Sequence, residues 1–131
     1  MIVYTSIPVR NAMLDAVEAT VGTAPVLKIY GGTPPAKTAD ASGETALATF
    51  TLASDWADPA SGGIKNVIGT PYQDTSADST GTATHWRLFD SAGVCHLQGD
   101  VTATGEGGSM TLASTALTLS GLVQITSWAM T

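Results

Sequence analysis

Charge is scarce in this chain. Only 12% of its 131 residues are Asp, Glu, Lys or Arg, against about 25% in an average soluble domain. The five basic residues, Arg10, Lys28, Lys37, Lys65 and Arg87, lie far apart and form no run, and the formal net charge is −6. Without a basic patch there is nothing to displace counterions from a phosphate backbone, so nucleic acid is not expected as a partner. Cysteine is nearly absent. The single Cys95 excludes an internal disulfide and fits folding in a reducing compartment, and its neighbours Val94 and Leu97 predict a buried rather than reactive thiol. Long apolar runs are missing too. Nothing approaches the roughly 20 residues needed to span a bilayer, and MIVYTSIPVRN lacks the basic start and apolar run of a secretory leader. A soluble protein without a membrane partner is expected.

What is present is Thr, Ala, Ser and Gly, a composition suited to many short strands joined by turns. A length of 131 residues predicts one domain, large enough to bury about two-thirds of its unfolded surface. One helix is predicted near the start. Ser6 can cap it, Pro8 suits its first turn, and Gly22 is placed to end it. Val9, Met13, Val17 and Thr20-Val21 recur at a spacing near four, with Asn11, Asp15 and Glu18 on the opposite face. The apolar stripe is expected to pack on the protein's own sheet; docking on another subunit is the alternative.

After Pro25 the period falls to two. VLKIY (26–30), ETALATFTL (44–52) and IKNVI (64–68) read as strands, separated by irregular loops at 31–43 and 55–63. These loops read as ordered surface segments or partner-contacting arms. TPYQDTSADSTG (70–81) is a further loop. TATHWRLFD and VCHLQGDV form a hairpin through DSAG, where Asp90 stabilises the turn and Gly93 takes a positive φ. TATGEGGS is another turn, and SMTLAS, ALTLS and LVQITSWAM supply the last strands. The expected fold is mainly β: an antiparallel β-sandwich or jelly-roll-like domain of about seven to nine strands with one N-terminal α-helix. The 1–24 segment carries the helix and 25–131 the sandwich, in a single domain.

Candidate chemistry is sparse. If Asp90 lies opposite Val94, His85 faces Gly99 and His96 faces Leu88, too far apart to share a zinc ion. Cys95 points away from His96. No serine sits in a nucleophile elbow. Asp55/Asp58 and Asp74/Asp78 fall in loops where Asp is the ordinary turn residue, and a calcium loop is the weaker alternative. The pairs Gly31-Gly32 and Gly62-Gly63 and the run Gly105 to Gly108 lack the helix that a phosphate cradle needs. Trp86 and Leu88 predict a core face, with His85 and Arg87 on the less buried side and Arg87 paired to an acid such as Asp100. Exposed tryptophans, Trp86 or Trp128, would instead offer a sugar-stacking platform. No catalytic, cofactor-binding or metal-binding residue is assigned.

Four stretches, in order, carry a resemblance: IPVRNAMLDAVEATVG, VLKIYGGTPPA, GTATHWRLFDSAG and MTLASTALTLSGLVQITSW. Within them Arg10 to Ala16, Leu27 to Ala36, Gly81 to Arg87 and Gly121 to Ser127 are similar to segments of small structural proteins of tailed bacteriophages. The resemblance implies a non-enzymatic virion component, foremost a capsid decoration or cement protein. Its implied partner is the major capsid protein, with self-association as a dimer or trimer on the capsid exterior after assembly in the host cytoplasm. A neck or tail component, or a surface carbohydrate-binding module, is the alternative.

Overall fold

The computed structural model describes residues 3–68 and 72–131. Helix α1 (Ile7–Val21) is followed by β1 (Val26–Tyr30), β2 (Ala46–Thr51), β3 (Lys65–Asn66), β4 (Tyr72–Asp74) and β5 (Gly81–Thr82). Then come β6 (His85–Phe89), β7 (Cys95–Ala103), β8 (Met110–Leu112), β9 (Ala116–Leu117) and β10 (Val123–Met130). The fold is mainly β with one N-terminal helix, as the composition and periodicity predict. The TPYQDTSADSTG loop departs from expectation by contributing β4, which pairs with β10.

Eight strands form one mixed sheet in the order β2-β1-β6-β7-β8-β10-β3, with β4 also on β10. The sheet curls until its ends approach. Beyond β4, Asp78 N donates to Leu47 O and Ser79 Oγ to Ala46 O, so this segment covers the free edge of β2. Such cover protects an edge that would otherwise template foreign strands. The strands β5 and β9 form a separate pair.

Every pairing is antiparallel except β7 with β8, which run parallel. A parallel connection ordinarily takes a dozen or more residues, yet only 104–109 separates these strands. Gly105 and Gly107 make the short return feasible, at φ values of 88° and 84° that side chains with a Cβ resist. TATGEGGS is therefore a turn, but one that reverses the chain twice.

The concave face holds the core. Leu27 lies between Phe50 and Leu88, and Ile29 between Ala48 and Trp86, in the registers of β1 with its two neighbours. Trp86 and Trp128 pack edge to face, their ring centroids 5.0 Å apart, a favoured geometry for aromatic pairs. Trp56 is fully buried, and its Nε1 donates to Gly22 O at 2.9 Å, tying the end of α1 to the loop after β2.

The helix boundaries follow the local signals. Ser6 Oγ accepts from Val9 N, and Gly22 adopts φ 82° at the C-terminus. Its orientation follows the expected stripe only in the second half, where Val17 and Val21 pack on the core. Leu14 and Val21 are its buried residues, while Val9 and Met13 are exposed. The polar side turns inward because loop 58–65 offers it partners. Gly63 N donates to Asn11 Oδ1, Ala60 N donates to Asp15 Oδ1, and Lys65 Nζ bonds both Asp15 and Glu18.

Candidate functional site

The segment GTATHWRLFDSAG becomes β6 and its turn. Asp90 Oδ1 accepts from the backbone N–H groups of Ala92 and Val94, and Gly93 takes φ 89°. A bulge between Leu88 and Phe89 moves the register by one residue, so His85 faces Asp100 and Leu88 faces Leu97. The expected pairing with Gly99 and Leu88 is thereby corrected. His96 Nε2 lies 2.9 Å from Asp90 Oδ2. That hydrogen bond, followed by those from the turn's N–H groups, holds the Asp90 carboxyl below its ordinary value.

Alternation places Trp86 and Leu88 in the core, as predicted. The opposite face is not the less buried side: His85 and Arg87 are 1% and 2% exposed. The cause is loop 31–43, which folds back over the outer face of β1, β6 and β7. Four of its carbonyls are held by side chains. Thr84 Oγ1 donates to Gly32 O, Gln98 Nε2 to Pro35 O, and Arg87 Nη2 to Thr38 O and Asp40 O, at 2.7 to 2.8 Å.

Arg87 is thus clamped to backbone oxygens and does not pair with Asp100. Asp100 instead accepts from Ser109 N at 2.9 Å, a bond that lowers its pKa. His85 stacks on Tyr30, with centroids 5.4 Å apart, and its Nδ1 lies 3.0 Å from Thr84 Oγ1. Burial, reinforced by the charge of Arg87, pushes the imidazole below its ordinary value. Burial likewise raises the Tyr30 phenol.

The remaining candidates are engaged elsewhere. Asp74 Oδ1 accepts from Ser76 N in its own turn, and Asp78 Oδ2 accepts from Thr49 Oγ1 on β2. Asp55 and Asp58 are exposed, and the Asp58 carbonyl receives a bond from Lys65. Cys95 is half-buried, its Sγ 3.3 Å from Leu97 O. Trp56, Trp86 and Trp128 are all buried, so none offers a stacking face for sugars. Among the described residues, no three His, Cys, Asp or Glu side chains gather as a metal-holding group. Nor is any described helix long and apolar enough to cross a membrane.

One feature lay beyond the sequence reading, and a second matches only its alternative, a helix stripe left free for another subunit. The first is the Lys65–Asp15–Glu18 cluster, whose only trace was a lysine inside the apolar run IKNVI. The other is a set of exposed apolar side chains at the start of the chain: Val3, Tyr4, Ile7, Val9 and Met13 are 48 to 88% exposed. A groove of about 250 Å³ lies between Met13, Val17 and Leu97.

No protein-family model, no curated protein and no solved structure matches the chain.

Proposed function

We propose that this protein is a non-enzymatic structural component of a tailed-phage virion. In this reading it is a capsid decoration or cement protein that binds the major capsid protein and reinforces the shell. The observation that carries the reading is the exposed apolar first half of the helix. A surface helix ordinarily turns its apolar stripe inward; α1 does so with Leu14, Val17 and Val21, but leaves Val9 and Met13 in solvent. Contiguous exposed apolar surface marks sites of protein association. Val3, Tyr4 and Ile7 are exposed as well.

The ordered loops also suit a cement role, which asks for a rigid body that adds interface area and performs no chemistry. Loops 31–43 and 55–63 are pinned by side chains of the sheet and of α1 respectively. Two or three copies meeting on the shell through the α1 face would cover one another's apolar residues, as closed symmetric assemblies do.

The test is co-sedimentation of the purified chain with assembled capsid shells, followed by heating. The chain is expected to sediment with the shells and raise their disruption temperature, and Val9→Asp with Met13→Asp to abolish both effects. Shells equally stable with and without the protein would sink the reading.

A further inference from the structure

Beneath loop 31–43 lies a pair of cations that the capsid reading does not use. Lys28 stands directly opposite Arg87 in the β1–β6 register. Both lie over the ring of Phe89, at 5.4 and 5.5 Å from its centroid. Like charges directly opposite on neighbouring strands repel, and a buried cation ordinarily has a counter-charge. Among the described residues neither cation has a carboxylate within ion-pairing distance.

The polar accounts here are also open. Arg87 is 2% exposed, and its Nε has no hydrogen-bond partner; the same holds for Gln98 Oε1 and His85 Nε2. Gln98 faces Arg87 across β6 and β7. Three of the four buried unpartnered side-chain atoms among the described residues therefore share this one layer. Of these three residues Arg87 lines a cleft of about 510 Å³, together with Lys28, Tyr30, Phe89, Val94 and Cys95; His85 and Gln98 do not line it. That volume is in the range of small-ligand sites.

We infer that this cleft binds a carboxylate, seated between Lys28 and Arg87 with its carbon body against Phe89 and Val94. Arg and Lys both give charge-assisted hydrogen bonds to carboxylates. The choice over phosphate rests on the loop side. Asp40 and Glu44 also line the cleft, and they repel a dianion more strongly than a monoanion. The apolar walls, in turn, call for a hydrocarbon stem that phosphate lacks. The carboxylate belongs either to a free aromatic or aliphatic acid or to a glutamate side chain of a partner protein.

The experiment is an amide NMR titration of the full chain with benzoate. Inorganic phosphate at matched ionic strength and an end-blocked peptide with one glutamate serve as parallel probes. Benzoate or the peptide is expected to shift Lys28, Arg87 and Phe89 saturably. Lys28→Gln is expected to weaken that binding about tenfold. Lys28 is only partly buried, so this variant keeps the fold that an Arg87 replacement would endanger. Tighter binding of the peptide assigns the site to a partner's side chain, and tighter binding of benzoate to a free acid. Phosphate binding as tight as benzoate, no saturable shift, or an unchanged affinity in Lys28→Gln overturns the inference.

Discussion

Asp15 and Lys65, fifty residues apart in sequence, meet at 2.8 Å, with the lysine side chain fully buried and the aspartate half exposed. Glu18 completes the cluster at 2.7 Å. The ammonium cannot be rehydrated when its partners are lost, whereas the carboxylates can. Replacing Lys65 with Met should therefore cost no more than about 1 to 2 kcal/mol, since an apolar side chain substitutes well for a buried ion. Removing both acids, Asp15→Ala with Glu18→Ala, should destabilise more. Urea titration of the two variants checks the ranking, and the reverse order would refute the burial argument.

The same cluster sets a pH window. The hydrogen bond from Lys65, then that from Ala60 N, holds Asp15 below its ordinary value. A depressed carboxyl gives stability above its unfolded pKa that is lost as pH falls through the folded one. For Lys65, burial pulls the ammonium down, but the bonds and charges of Asp15 and Glu18 outweigh it and leave the pKa raised. That contribution is complete below the unfolded pKa and lost as pH rises through the folded value. Helix docking should be level from about pH 5 to 10. Buried Tyr30 and partly buried Tyr72, both raised by burial, add their own alkaline loss. The difference in melting temperature between the native chain and Lys65→Met isolates the lysine, and should shrink at both extremes.

Met13 and Leu14 are adjacent, yet only Leu14 is buried, at 9% exposure against 61%. Leu14→Ala should cost about 2 kcal/mol, the lower end for a buried leucine. Met13→Ala should change the stability of the isolated chain by less than about 0.5 kcal/mol. Thermal denaturation of the two variants measures the orientation of α1 directly.

Arg87 holds two carbonyls of a loop that contains Lys37, a tryptic site. Arg87→Met keeps the side chain's bulk and removes the clamp. Cleavage after Lys37 should accelerate about tenfold as local opening becomes easier, with peptide mass as the readout. An unchanged cleavage rate would show that Gln98 and Thr84 suffice.

Gly99 sits opposite Trp86, and a Cβ there would lie 2.7 Å from the indole ring and from Ser109 Oγ. Gly99→Ala should cost about 1 to 3 kcal/mol by overpacking. It should also alter the near-UV circular dichroism of the Trp86–Trp128 pair.

The features legible in the sequence are those encoded by near neighbours. Asp90 and Gly93 specify the hairpin turn between them, and Ser6, Pro8 and Gly22 specify where the helix starts and stops. Alternation in β6 assigns Trp86 and Leu88 to the core. The face on which α1 docks is only half legible: Val17 and Val21 pack inward as their spacing predicts, whereas Val9 and Met13 stay exposed and Lys65, outside the helix altogether, engages Asp15 and Glu18. The one-residue bulge at Phe89 has no local signature, and it displaced the predicted partners of His85. Arg87 eluded its expected acid because its acceptors are backbone carbonyls, which every residue carries. The parallel step from β7 to β8 runs against the usual length of such connections, so the glycines of 104–109 suggested a simple reversal.

Loop 31–43 is moored through the carbonyls of Gly32, Pro35, Thr38 and Asp40. A carbonyl survives nearly any substitution, so the anchorage depends little on which side chains the loop displays. Mutational drift can rewrite this outward surface while the frame under it stays fixed. The loop is therefore a natural place to graft a foreign peptide of similar length: an epitope inserted between the Pro35 and Thr38 moorings would be presented on a rigid floor.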